Sequence, residues 1–326
     1  MLEEIKTFLG KDWKDTDNQI RSVLGSDIDL LNKTNAAILA NGGKQLRPLV
    51  SLLVARACAG GKSTEDSIRF AAASELLHNA TLLHDDVVDG SDKRRGMPTV
   101  MSLLGGPASV LIGDFWLVKA VKCLLDSPTH SEAAIRVFSK TLSDLAEGEM
   151  LQLQKSASGD TDEEDYLRII YSKTASLFEA ACISAAISVD ASPEVIEAVR
   201  GYAVNLGIAF QIKDDILDYS GGVKIGKPVG VDLEEQKITL PLLGALKNAS
   251  PEVSAAVRRK VSGILLNPEY KDEVRNFVFA NNGCEYAEAR LQEFVDKAVS
   301  ALEVLPQSEE KNYLAKIAAF TAGRDK

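Results

Sequence analysis

The sequence predicts an all-α protein, and three observations carry that prediction. Apolar residues recur at helical spacing almost throughout, as in Ile20, Val23, Leu24, Ile28 and Leu31, and again in Val195, Val199, Tyr202 and Leu206. Few segments alternate with the period of two that strands require. Helix punctuation is frequent, at Asn41-Gly42-Gly43, Gly60-Gly61, Gly105-Gly106-Pro107, Ser127-Pro128, Ser192-Pro193 and Gly221-Gly222. The spacing of these breaks predicts roughly ten to thirteen helices joined by short loops. The acidic stretch Asp160 to Asp165 reads as a solvated loop and helix start. No Pro-rich or Ser-rich linker divides the 326 residues, so a single helical domain over 1–326 is expected, with 45 % hydrophobic residues to fill its core.

Charge and cysteine usage narrow the function. A net charge of −10 argues against a general nucleic-acid surface, so any phosphate chemistry must come from local basic residues. Cys58, Cys123, Cys182 and Cys284 lie far apart without a C-x-x-C pair, which fits reduced, buried thiols in a cytoplasmic protein. The N-terminal MLEEIKTFLGKDWKD carries acids and no apolar core, so it does not read as a signal peptide. Gly96 to Gly113 runs without a charge, but Pro98, Gly105, Gly106 and Pro107 break it into a loop and a helix start, and no transmembrane helix is predicted.

Two aspartate clusters are the informative motifs. Asp85, Asp86 and Asp89 in LLHDDVVD, and Asp214, Asp215 and Asp218 in FQIKDDILD, each spell D-D-x-x-D near the end of an apolar helix and ahead of a glycine, Gly90 or Gly221. On a helix, carboxylates four apart share a face and repel, and at a C-terminus they also oppose the helix dipole. A hard, oxygen-seeking cation such as Mg²⁺ relieves both costs, so the pair of clusters points to a multi-metal site for a polyanion. His78, Thr81, Asp85 and Asp89, joined by Ser74, form one polar face of the first helix; Gln211, Asp214, Asp215 and Asp218 form that of the second. An EF-hand does not fit, because Val87 stands at its third position and Gly96 at its twelfth. Zinc spacing is absent.

Basic residues stand where an anion would need them. Gly42-Gly43-Lys44-Gln45-Leu46-Arg47-Pro48 brings Lys44 and Arg47 to a loop that opens a helix, and Arg94 and Arg95 follow the first acidic cluster in DGSDKRRGMPT. Carboxylates for cations beside arginines for phosphates read as diphosphate recognition.

With GGKQLRP, HNATLLHDDVVDGSDKRRGMPT, AEGEMLQL, YSKTASLF and FQIKDDILD in that order, the chain resembles the trans-isoprenyl diphosphate synthases, and most of all their long-chain, octaprenyl-type members, from about Asn41 to Pro241. The resemblance implies the isoprenoid-synthase helical bundle around a central cavity, a homodimer, and head-to-tail condensation of an allylic diphosphate with isopentenyl diphosphate. It implies that Asp85 and Asp89, with Asp86 in support, and Asp214, with Asp215 and Asp218 behind it, hold Mg²⁺. It assigns Lys44, Arg47, His78 and Arg95 to isopentenyl diphosphate, and Arg94, Lys173, Thr174, Gln211 and Lys227 to the allylic diphosphate; Lys173 and Lys227 join the aspartates as catalytic residues. Many relatives have glycine where GVDLEEQKITLP has Gln236.

Chain length is read one, two and three turns before Asp85, at Thr81, Leu77 and Ser74, with Ala80 adjacent. In the family a large aromatic four or five residues before the first aspartate closes the pocket. Here about 16 Å of helix carries none, so a product longer than C20, of about C40, is expected, with a quinone side chain as its use. A shorter-chain synthase and a non-catalytic prenyl-diphosphate-binding subunit are the alternatives. A terpene cyclase fits poorly, since it needs no isopentenyl site. The apolar product implies transient membrane contact on release.

Overall fold

A computed structural model describes residues 1–220 and 230–323, and among these residues seventeen α-helices account for most of the chain. The all-α expectation holds. The helices outnumber the ten to thirteen expected because single glycines split runs that read as one, as Gly10 does between the helices Leu2–Leu9 and Lys11–Val23. The described chain divides into two compact units, one of residues 1–139, 180–199 and 304–314, the other of the remainder.

The first unit begins with α1 (Leu2–Leu9), α2 (Lys11–Val23), α3 (Asp29–Ala40), α4 (Leu46–Cys58) and α5 (Glu65–Val88). A hairpin, β1 (Lys93–Arg94) and β2 (Met97–Pro98), then leads to α6 (Val100–Leu104) and α7 (Gly106–Leu125). Its core lies where α4 meets α5: Leu49, Leu52 and Leu53 of the former and Phe70, Leu76 and Leu77 of the latter are fully buried, each side chain contributing about 1.5–3 kcal/mol. A capping box between Thr64 and Ser67 starts α5. Its other end closes when Gly90 turns left-handed, so that the Ser91 N–H returns to the Asp86 carbonyl at 3.0 Å. The helix therefore stops directly behind its aspartates. Along α7, the Ser109 hydroxyl donates to the Leu83 carbonyl at 2.8 Å, and the buried Trp116 indole donates to Asn35 Oδ1 at 2.8 Å, tying α3 into place.

Two expectations are corrected here. The stripe from Ile20 to Leu31 belongs to two helices: Ile20 and Leu24 are buried, but the chain turns after Leu24 and leaves Ile28 exposed at the N-cap of α3. The uncharged run from Gly96 contains half of a β-hairpin, with Arg95 and Gly96 both left-handed at its turn, the type I′ geometry. Among the described residues no helix is long and apolar enough to cross a membrane.

The second unit draws on α8 (Ser131–Ser158), α9 (Glu163–Ile170), α10 (Ser176–Ile187), α11 (Pro193–Ser220), α12 (Val231–Glu234), α13 (Leu240–Leu246), α14 (Pro251–Gly263), α15 (Tyr270–Ala280), α16 (Gly283–Ala301) and α17 (Glu309–Gly323), of which α8, α10, α11 and α17 share residues with the first unit. Asp162 and Asp165 form the capping box of α9, as the acidic stretch suggests. Every residue of α13 is buried. Val199, Tyr202 and Leu206 of α11 are buried on one stripe. Between α9 and α10 the chain winds through one π turn, Tyr171–Ala175. That turn sits close to its neighbours because two glycines face it: a Cβ on Gly207 would lie 2.4 Å from Ala175 Cα, and one on Gly148 2.4 Å from Ser172 Cβ.

Candidate active site

The first acidic cluster divides its labour by exposure. Asp86 is buried and accepts from Arg94 Nε at 2.8 Å, Asp85 is half-buried, and Asp89 is exposed at the C-cap of α5. Burial raises the Asp86 pKa, and Arg94 only partly counters it. Asp86 is thus committed to holding Arg94, while Asp89 presents an exposed carboxylate at the helix end.

The loop of Lys44 and the hairpin of Arg95 are one structure. Arg95 donates to the Asn41 carbonyl at 2.8 Å, and its guanidinium lies so close to Gly43 that a Cβ there would be 2.4 Å from Cζ. Gly43 is left-handed at φ 67° and Gln45 at φ 49°, which brings Leu46 and Arg47 round as the first residues of α4. Lys44 is exposed at the tip. Arg47 has its pKa pushed down to about 10 by burial and by Arg95, against the pull of Glu75. Burial, reinforced by Arg47 and Arg95, holds the His78 imidazole well below its ordinary pKa, so it is neutral. Glu75 itself is buried, accepts from Asn79 Nδ2 at 3.1 Å, and has a raised pKa because burial outweighs Arg47. Arg47, His78 and Arg95 are therefore close enough to influence one another around Glu75, and Glu75 and Asn79 are polar neighbours that the motifs do not include. Their only signal in the sequence is that they are polar residues inside an apolar helical run.

In the second unit, Asp215 is buried with both oxygens engaged. Tyr166 Oη donates to Oδ2 at 2.6 Å and Gln211 Nε2 to Oδ1 at 2.9 Å, while Gln211 accepts from Thr174 Oγ1 at 2.7 Å. Burial, reinforced by Asp214 and Asp218, pushes Asp215 up to about 7. Asp218 accepts the Val231 and Asp232 backbone N–H groups at 3.1 and 3.2 Å and so caps α12. Asp232 adds an acid the motif does not contain, its pKa raised by burial and by Asp215 and Asp218. Lys173, on the π turn, lies 2.6 Å from Glu149 and donates to Gln152 at 3.0 Å. Gln152, Lys155, Tyr166, Lys173, Gln211 and Asp215 all line one cavity of about 130 Å³. Lys227, like Gly221, lies outside the described residues.

These carboxylates fit Mg²⁺. Among the described residues no three His, Cys, Asp or Glu side chains gather into a closed metal cage. Mg²⁺ is ordinarily held by one or two carboxylates together with substrate phosphates, so open clusters suit it.

Comparison with known proteins identifies the family. Residues 28–276 match the family described as polyprenyl synthetase. The chain is 39 % identical over 333 residues to octaprenyl diphosphate synthase of Escherichia coli (strain K12), covering 100 % of this chain and 99 % of that one. It is 36 % identical to a short chain isoprenyl diphosphate synthase of Methanothermobacter thermautotrophicus, over 99 % of this chain and 100 % of the relative. Among solved structures it resembles a polyprenyl synthase from Caulobacter crescentus complexed with calcium and isoprenyl diphosphate, with TM-score 0.91, 34 % identity, and coverage of 100 % and 98 % of the two chains. The chain belongs to the polyprenyl synthetase family, and as a member of it is an enzyme of the trans-prenyltransferase class.

Proposed function

We propose that this enzyme condenses isopentenyl diphosphate head-to-tail with an allylic prenyl diphosphate, using Mg²⁺, to build a long all-trans polyprenyl diphosphate of about C40. The observation that carries this reading is the joint Gly43–Arg95 structure, which sets Arg47, Arg95 and neutral His78 around one another beside the first aspartate cluster. A terpene cyclase has no use for such a second anion site.

Asp85, Asp89 and Asp214 hold Mg²⁺ in this reading, with Asp86, Asp215 and Asp218 fixing them in place. When bound, the metal acts as a Lewis acid on the departing diphosphate. Arg94, Lys173, Thr174 and Gln211 orient the allylic diphosphate, and Lys227 joins them. Lys173 also brings a charge that offsets the one released as the allylic C–O bond breaks. Lys44, Arg47 and Arg95 grip isopentenyl diphosphate, and His78, uncharged, supplies a hydrogen bond. The isopentenyl double bond attacks the allylic cation, and the proton then lost passes to the released diphosphate. No protein nucleophile takes part.

The long-chain reading is supported by the absence of an aromatic from Ser74 to Thr81 on α5 and by the identity to an octaprenyl diphosphate synthase. The short-chain relative at similar identity makes the product itself the decisive measurement. A homodimer is supported by an exposed apolar stripe on α7, formed by Leu111, Val118 and Leu125. Turnover is tested with labelled isopentenyl diphosphate and product chromatography after dephosphorylation. Wild type is expected to give a product beyond C20, and Asp85→Ala, folded by circular dichroism, to lose at least about a hundredfold in kcat. A wild type inactive alone would instead indicate a binding subunit.

A further inference from the structure

The first unit contains a cavity of about 290 Å³, bordered by α3, α5, the hairpin and α6 and open to solvent on one side. Its walls are apolar, with Leu30 and Ile38 from α3, Leu82 from α5, and Leu104 from α6. At 100° per residue the α5 residues that line it, Asn79, Leu82, Leu83 and Asp86, are centred roughly 110° round the helix from the Asp85 face. The cavity therefore lies to one side of the face assigned to prenyl transfer and shares Arg94 and Arg95 with it. Lys33, Arg94 and Arg95 also line it, three cations set against one carboxylate, Asp86, which Arg94 already holds.

Apolar walls with a cationic end complement an anion that carries a short apolar tail. The volume sits at the lower limit for small-ligand sites, enough for about two or three isoprene units and too little for a long product. We propose that this cavity binds a second molecule of the short allylic diphosphate, and that the bound diphosphate draws Arg94 away from Asp86 and so slows the enzyme when primer is in excess. The ligand's identity rests on the prenyl-transfer reading; the site does not. Withdrawing Arg94 leaves a buried carboxylate without its counter-ion and removes a donor from the allylic diphosphate site in the same movement.

Ala37 lines this cavity from α3 and has no part in the proposed chemistry, so Ala37→Trp fills it. Calorimetry with Mg²⁺ and the unreactive thiolo analogue of geranyl diphosphate is expected to show two sites per wild-type chain and one per Ala37→Trp chain. In turnover assays, wild type is expected to lose at least about threefold in rate at high geranyl diphosphate, and Ala37→Trp to keep its full rate there while matching wild type at low primer. One site per wild-type chain, a second site that persists in Ala37→Trp, or equal inhibition of wild type and Ala37→Trp would overturn the proposal. Should Ala37→Trp fail to fold, Leu104→Trp fills the cavity from α6 and is read in the same way. Absence of wild-type turnover at low primer would count against prenyl transfer alone, because the calorimetric stoichiometry is read without turnover.

Discussion

At the scale of single residues, the constraint that bears most directly on the site is the pairing of Gly43 with Arg95. Gly43 is left-handed, and its missing Cβ is the space that the Arg95 guanidinium fills. Gly43→Ala must push that guanidinium away while leaving α4 and α5 intact. The expected result is a roughly tenfold rise in KM for isopentenyl diphosphate, the loss of about one charge-assisted hydrogen bond, with KM for the allylic substrate unchanged. An unaltered isopentenyl KM would remove Arg95 from that site. Motif spacing made the aspartates and arginines legible in the sequence, because i, i+3 and i+4 relations are local. Tyr166 and Asp232 were not legible: their role arises from contact with Asp215 and from burial beside it, which no local pattern encodes. Gln236, the departure from glycine, is explained by conformation. It is left-handed at φ 57°, where glycine costs least, and its side chain recovers a hydrogen bond to the Ser262 carbonyl at 2.6 Å.

At the scale of elements, α5 joins stability at one end to specificity at the other. Near its N-terminus, buried Asp66 accepts from Ser127 at 2.6 Å and Arg69 at 2.8 Å and bonds His130 Nδ1 at 2.9 Å, while His130 Nε2 reaches Asp190 at 3.2 Å. Burial alone would raise the Asp66 pKa and lower that of His130, but these bonds win and move Asp66 down and His130 up. His130 therefore adds stability that is complete below its unfolded value of about 6.5 and is lost as pH rises through its raised folded value. Asp66 adds stability that is complete above about 3.9 and is lost as pH falls through its depressed one. In urea titrations, His130→Gln is expected to cost about 1 kcal/mol near pH 5–6 and distinctly less above pH 8. An equal cost at both would show that the imidazole charge is irrelevant. Toward the aspartates, half-buried Thr81 stands one turn before Asp85. Thr81→Phe is expected to shorten the product to C15–C20 without lowering Tm by more than a few degrees; a product of unchanged length would separate this face from chain growth. The helical period revealed this face in the sequence. It could not reveal the hairpin, whose two-residue strands are too short to show any period, and whose Arg95-Gly96 turn depends on left-handed backbone.

At the scale of the whole molecule, the fold class followed from periodicity, while the division into two units did not, since it depends on which distant segments pack together. The charge of −10 sets the molecule against polyanions on average, so substrate diphosphates must be met by local cations such as those around Glu75. The same average makes the apolar stripe on α7, which Asp114 and Lys122 flank, stand out. Leu111, Val118 and Leu125 are 69, 64 and 58 % exposed and lie seven residues apart, so they form a stripe that drifts only about 20° per step. A second copy related by a two-fold axis would cover this stripe with its own, the self-complementary arrangement of homodimers. Placing Asp at both Leu111 and Val118 sets like charges against each other across such an axis and leaves the interior of the unit untouched, because both side chains point outward. The double variant is expected to sediment as a folded 35.1 kDa monomer at concentrations where wild type is a dimer. A variant that remains dimeric would mean that the interface lies elsewhere on the molecule, and a monomeric wild type that this stripe has another partner.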